Sequence, residues 1–210
     1  MVSGMMISVE GNEGCGKTTV IRMLEEYLMS KGCDVLLTRE PGGVRIAEQI
    51  RDVILDLSNT EMDPKTEAIL YAAGRNESVK GRVLPALKEG KIVLCDRFID
   101  SSLVYQGYAR GIGINEVFEL NKFAIGDYLP DLTIYLDVDP RVGLDRIAMN
   151  KEREINRLDK ESLEFHYKVR EGYLEVLKAF PGRIKKVNAN KSPEDVLRQI
   201  KVLLRKELNI

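Results

Sequence analysis

The chain of 210 residues is short of cysteine, of histidine, of long apolar runs and of net charge, and each shortage closes off a class of protein. Cys15, Cys33 and Cys95 have neither the even count nor the close pairing of a disulfide or zinc framework, which points to a reducing cytoplasm. The single histidine, His166, has no second ligand spaced for a metal and reads as structural. No stretch is long enough to span a bilayer, and the N-terminus carries no apolar segment with a cleavage site, so the chain reads as soluble and unprocessed. Its 32 basic and 33 acidic residues leave a formal net charge of −1. So dense a mixture belongs to a solvated surface with paired charges and gives no support to a nucleic-acid or membrane partner. No internal repeat or low-complexity tract is visible.

What is present is more decisive. Gly11-Asn12-Glu13-Gly14-Cys15-Gly16-Lys17-Thr18 stands directly behind the apolar run 5–9 and ahead of Val20, Ile21, Leu24, Tyr27 and Leu28, which recur at helical spacing. This is a phosphate-binding loop between a strand and a helix. Its glycines let backbone N–H groups close around a polyphosphate, Lys17 reaches the β and γ phosphates, and Thr18 offers a hydroxyl to magnesium. The helix dipole faces the anion. Average residue usage produces such a match by chance about once per hundred chains of this length, so the flanking strand and helix decide for a nucleotide site. Gly11, Asn12, Glu13, Gly14, Cys15, Gly16, Lys17, Thr18 and Thr19 form the expected stretch around the donor phosphates. Cys15 within it is a small neutral filler or an alkylatable thiol.

The length fits one sizeable domain, residues 1–210, and an apolar content of 44% is ample for its core. Short apolar runs at 5–9, 35–38, 92–95 and 132–138 read as buried parallel strands, and 184–187, charged in its middle, as a fifth strand at an exposed edge. Helical periodicity runs through 46–57, 64–88, 140–150, 160–180 and 193–204. Asp63-Pro64, Asp139-Pro140 and Ser192-Pro193 each set a capping side chain before a proline at the first helical position. Repeated β-α units of this kind predict an α/β fold with a mostly parallel sheet of about five strands flanked by helices, its ligands gathered at the strands' carboxyl ends.

A phosphate loop alone does not separate a kinase from a GTPase or a switch, so the acceptor side must. Four further segments stand at predicted strand ends or on a helix: Thr38-Arg39-Glu40-Pro41-Gly42-Gly43, Tyr71-Ala72-Ala73-Gly74-Arg75, Asp96-Arg97-Phe98-Ile99-Asp100-Ser101 and Val104-Tyr105-Gln106-Gly107. Together with the phosphate loop, with Pro130-Asp131-Leu132 before Tyr135-Leu136-Asp137, and with Phe165-His166 before Val169-Arg170-Glu171-Gly172-Tyr173, they closely resemble the thymidylate kinase family from the first strand to the last helix.

The resemblance implies a three-layer α/β/α P-loop NTPase fold and transfer of the γ-phosphoryl group of ATP to thymidine 5′-monophosphate (dTMP), giving dTDP and ADP on the way to dTTP. Lys17 and Arg97 would be catalytic, with Thr18 and Asp96 holding magnesium. Arg39 and Arg51 would reach the acceptor phosphate, a task suited to the planar guanidinium fork. Arg51 also fits the polar side of an amphipathic helix. Tyr71, Arg75, Ser102, Tyr105 and Gln106 would read the acceptor, with Tyr71 and Arg75 four apart on one helix face and able to meet the same ring. Tyr105 would crowd the sugar's 2′ side, and Glu13 would accept from the 3′-hydroxyl. Family members are usually homodimers packed through helices.

Glu13 and Cys15 leave the phosphate loop without an extra basic residue, so the resemblance is to the type with a basic lid at about 150–159. Arg153 is its expected catalytic arginine, with Lys151 and Arg157 as the other candidates. A solvated charge run is the plain alternative for that segment. Tyr71 stands where relatives commonly have phenylalanine, Val44 where they often have threonine, and Gly74 where many have a nonglycine residue. The last costs about 1 kcal/mol of helix propensity unless close packing compensates. Two other classes compete: a deoxynucleoside or other nucleoside monophosphate kinase, and a nucleotide-dependent switch. A deoxynucleoside kinase would not need Arg39 and Arg51 at an acceptor phosphate, and no partner face marks a switch.

Overall fold

Five short strands, the inner ones largely apolar and buried on both faces, form the centre of a computed structural model that describes residues 4–149 and 161–208. They are β1 Met5–Glu10, β2 Val35–Arg39, β3 Ile92–Asp96, β4 Leu132–Asp137 and β5 Ile184–Asn188. All pairs are parallel and the spatial order is β2-β3-β1-β4-β5, which leaves the charged β5 at an edge as expected. Side-chain alternation divides the core in two. Ile7, Val9, Leu94 and Ile134 pack on one face with Val20, Ile21 and Leu24 of α1 (Lys17–Ser30) and Ile200 of α9 (Pro193–Leu208). Met6, Val93, Cys95 and Tyr135 face the other way, against Val117 of α6 (Ile114–Ile125) and Val169 and Tyr173 of α8 (Leu163–Ala179).

The remaining helices are α2 (Arg45–Leu55), α3 (Pro64–Ser78), α4 (Leu84–Lys88), α5 (Ile99–Ser102) and α7 (Pro140–Met149). The three expected caps form. Asp63 Oδ1 accepts from the N–H groups of Lys65 and Thr66, Asp139 Oδ1 from that of Arg141, and Ser192 Oγ from that of Asp195.

Two departures take the same form, a π-helical stretch. The helix expected over 64–88 is interrupted by a wide π-helical turn, Val79–Val83, just ahead of Pro85, which has no N–H to continue the ladder. A second wide stretch, Leu103–Ala109, follows α5, and neither it nor α6 has a counterpart in the sequence expectation. Leu103, Val104, Tyr105, Gln106 and Gly107 are all buried, so no polar face marks the helix, and a π turn shifts the spacing on which periodicity depends.

The topology fixes where a ligand goes. From β1 the chain crosses to outer β2, returns to β3, then crosses β1 to reach β4, so neighbouring β1 and β3 send their connections in opposite directions and open a crevice at their carboxyl ends. Val9 pairs with Asp96, and the Arg97 N–H donates to the Val9 carbonyl at 3.1 Å. The phosphate loop and the Asp96-Arg97 turn are thereby neighbours.

Candidate active site

The phosphate loop closes over the end of β1. Gly14 (φ 70°) and Gly16 (φ 90°) take left-handed conformations, and α1 begins at Lys17 with no side chain capping its first amides. N–H groups left in this way at a helix N-terminus suit an anion. A side chain at Gly14 is impossible, because its Cβ would lie 2.0 Å from the carbonyl oxygen of Gly143 on α7. The Lys17 ammonium rests on the carbonyls of Gly11 and Asn12, at 3.1 and 3.3 Å, and the Thr18 and Thr19 side chains are exposed. Asn12 is turned inward to the Val138 carbonyl, which braces the loop from below.

Arg97 stands at the crevice with φ 67°, the one nonglycine positive φ among the described residues. Its Nη2 donates to Glu13 Oε1 at 2.5 Å and its Nη1 to the Gly11 carbonyl at 3.1 Å, and its guanidinium lies 5.1 Å over the Tyr105 ring. The Tyr105 hydroxyl donates to the same Glu13 oxygen at 3.2 Å. Burial pushes this phenol well above its ordinary value, so it acts as a neutral donor.

On the β2 side, Arg39 pairs with Glu48 at 3.0 Å, and both Arg39 and Arg51 donate to the carbonyl of Pro41, which follows a cis peptide bond. Glu48 is held below its ordinary value: burial works against this, but the Gly43 N–H and the two arginines outweigh it. A cleft of about 620 Å³ joins these parts and is lined by Tyr71, Arg75, Asp96, Ser102, Tyr105 and Gln106 as well as by the loop.

A family model described as thymidylate kinase matches residues 9–200. The chain belongs to the thymidylate kinase family. A thymidylate kinase from Clostridium novyi (strain NT) is 58% identical over 205 residues, covering 98% of this chain and 100% of its own. One from Geobacillus sp. (strain WCH70) is 59% identical over 195 residues and 93% of each chain. The crystal structure of thymidylate kinase from Ehrlichia chaffeensis superposes with a TM-score of 0.79 at 32% identity, over 96% of this chain and 99% of that one. As a member of this family the protein is a kinase, a phosphoryl-transfer enzyme with the P-loop NTPase fold.

The residues expected from the thymidylate kinase pattern converge on this cleft. Arg75 is 2% exposed. Its Nε donates to Glu40 Oε2 at 2.6 Å, its Nη2 to the Phe98 carbonyl, both terminal nitrogens to Ser102 Oγ, and Nη1 also to Asn121 Oδ1. With every nitrogen occupied, it braces the Glu40 turn, Ser102 and α6, and it also lines the cleft on the same helix as Tyr71. Gln106 is likewise held, donating to buried Glu67 at 2.7 Å. Gly11 and Asn12 sit beneath the loop surface and do not line the cleft. Lys151, Arg153 and Arg157 lie outside the described residues.

Sequence reasoning missed several groups. Glu40, which holds Arg75, lay inside a motif that was read only for its arginine. Arg146, Ala189 and Lys191 line the cleft on the β4–β5 side of the loop and carry no local signal. Gly143 did carry one, a glycine within a helical pattern, which marks close backbone approach.

Proposed function

We propose that the protein transfers the γ-phosphoryl group of ATP to dTMP, giving dTDP and ADP. The observation that carries this reading is the place of Arg97, between the phosphate loop and a pocket walled by Arg39, Tyr71, Ser102 and Tyr105 in one cleft. An oxygen of the acceptor phosphate attacks the γ-phosphorus, the bond to the β–γ bridging oxygen breaks, and ADP leaves with the electron pair. Lys17 neutralises charge on the donor phosphates, and Arg97 exchanges Glu13 for the phosphates of both substrates as charge moves between them. Glu13, so released, accepts from the sugar 3′-hydroxyl. Arg39 and Arg51 turn from Pro41 to the acceptor phosphate, and Tyr71 lies against the thymine. With Lys17 on the phosphates, the donor nucleoside extends toward Arg146, Ala189 and Lys191.

Magnesium fits the residues present. Thr18 and Asp96 both line the cleft and offer hard oxygens, and no group of three or more His, Cys, Asp or Glu able to hold a metal occurs among the described residues. Substrate phosphates and water must complete the shell, which is how Mg²⁺ is usually held. When bound there, the ion would supply positive charge that offsets charge on the donor phosphates.

We read the whole chain as one domain with the segment 150–159 as its lid, Arg153 acting on the transferred phosphate. No described helix is long and apolar enough to cross a membrane, and the three free thiols suit the cytoplasm. A homodimer is the proposed assembly, because Val53 on α2, Ile69 on α3 and Phe123 on α6, the last 91% exposed, leave apolar groups on helices that pack side by side.

The test is ADP release with ATP and magnesium against a panel of nucleosides and nucleoside monophosphates. dTMP is expected to be phosphorylated far faster than thymidine or cytidine monophosphate. Preference for thymidine would replace this reading with a deoxynucleoside kinase.

A further inference from the structure

β1 ends in Glu10, a fully buried carboxylate that does not line the cleft. It accepts three hydrogen bonds: from the Phe98 N–H at 2.7 Å, from Ser101 Oγ at 2.5 Å and from the Tyr173 hydroxyl at 3.0 Å. These partners surround Arg97. Its own N–H is held by Val9, the next N–H is held by Glu10, and between these two bonds lies the left-handed φ of 67°. An arginine gains nothing from that conformation by itself, so the surroundings must impose it.

The same carboxylate also reaches the guanidinium. Arg97 Nη1 donates to Ser101 Oγ at 3.1 Å and to the Tyr173 hydroxyl at 3.4 Å. Each hydroxyl therefore accepts a hydrogen bond from Arg97 on one side and donates one to Glu10 on the other, which fixes the direction of both rotors. The Tyr173 ring is stacked on Tyr135, centroids 4.7 Å apart and planes at 17°, so its hydroxyl cannot wander.

We propose that Glu10 and Tyr173 are positioning residues for Arg97, setting its backbone and aiming its guanidinium at the space between the donor and acceptor phosphates. The inference rests on the kinase reading above and on Arg97 bridging those phosphates. It gives roles to the strand-end glutamate and to Tyr173, neither of which lines the cleft.

The test is a double-mutant cycle in steady-state kinetics with ATP and dTMP, using wild type, Glu10→Gln, Tyr173→Phe, Arg97→Ala and the two doubles with Arg97→Ala. Glutamine still accepts from Phe98 but aims N–H groups at hydroxyls already taken by Arg97. The expected loss in kcat is about tenfold for Glu10→Gln and smaller for Tyr173→Phe, with either KM changed less than about threefold. Both losses should vanish when Arg97 is alanine, since there is nothing left to position. A loss of the same size on both backgrounds would mean a general structural role and would overturn the proposal, as would unchanged kcat in both single variants. If Glu10→Gln fails to fold, Tyr173→Phe decides alone by the same comparison. An inactive wild type, or an Arg97→Ala enzyme as fast as wild type, removes the kinase reading and this one with it, and differs visibly from a failure of positioning alone.

Discussion

Arg97 Nη2 and Glu13 Oε1 meet at 2.5 Å, with side-chain exposures of 18% and 8%. A cation so placed is already charged, oriented and largely stripped of water before any phosphate arrives, so little reorganisation is left to the moment of transfer. Arg97→Ala should therefore lower kcat by about 10² to 10³, with a smaller change in KM for dTMP. Arg97→Lys should recover only part of this, because an ammonium cannot keep Glu13, Gly11 and Ser101 together as the planar fork does. A lysine variant with wild-type turnover would reduce the site's requirement to charge alone.

Tyr105 combines two functions that substitutions can separate. Its ring lies under Arg97, with the guanidinium 5.1 Å from the centroid, and its hydroxyl holds Glu13. Tyr105→Phe keeps the ring and should weaken discrimination against ribonucleotides only slightly, while Tyr105→Ala should admit them measurably. The readout is the ratio of kcat/KM for dTMP to that for 5-methyluridine monophosphate. Equal rejection by both variants would take Tyr105 out of that role.

The strands and the phosphate loop were legible because their signals are local: a short apolar run, a glycine turn and an amphipathic helix follow one another within residues 5–30. Arg75 shows what is not local. Its partners Glu40 and Asn121 lie 35 and 46 positions away, so a spacing argument paired it with Tyr71 and could not see that tertiary acceptors take up its guanidinium. Asn121 itself obscured α6, since a buried amide on the core face breaks the apolar stripe from which a helix is read. The wide turns at Val79–Val83 and Leu103–Ala109 were hidden for a geometric reason, because no i, i+4 template fits them.

Stability should fall as pH rises from about 5 to about 7.5. Burial and the neighbouring Asp100 push the Glu10 carboxyl from 4.5 up to about 7, against the pull of Ser101, Arg97 and the Phe98 N–H. Burial also raises Glu40 to about 7, although Arg75 lies 2.6 Å away. Between 4.5 and about 7 the folded state binds protons that the unfolded state has lost, so the contribution is complete below 4.5 and gone once pH passes the folded value. Each group supplies at most about 3 kcal/mol across that window. Asp137, where Arg170 outweighs burial, and Glu48 are lowered and act only below it. Urea midpoints at pH 5 and 8 check the sign, and Glu10→Gln should flatten the difference. A midpoint rising with pH would contradict it.

Two helical glycines should respond oppositely to alanine. A Cβ at Gly74 would meet Ile50 Cγ2 at 3.5 Å, an ordinary contact, so the departure from the family pattern there is not enforced by packing. Gly74→Ala should raise stability by roughly 0.5 to 1 kcal/mol through helix propensity and leave KM for ATP unchanged. Gly143 differs in what faces it. A Cβ there would lie 2.4 Å from the carbonyl oxygen of Glu13, and backbone cannot move aside as a flexible side chain can. Gly143→Ala must push α7 away from the phosphate loop or distort the loop between Gly11 and Gly16, whose amides would cradle the donor phosphates. The expected result is a KM for ATP raised about tenfold or more, with a loss of stability of about 1 to 3 kcal/mol. Isothermal titration with a nonhydrolysable ATP analogue and thermal unfolding measure the two effects separately. Unchanged nucleotide affinity in Gly143→Ala would mean that the loop keeps its shape without α7 against it, and that the close approach of Gly143 to Glu13 serves packing alone.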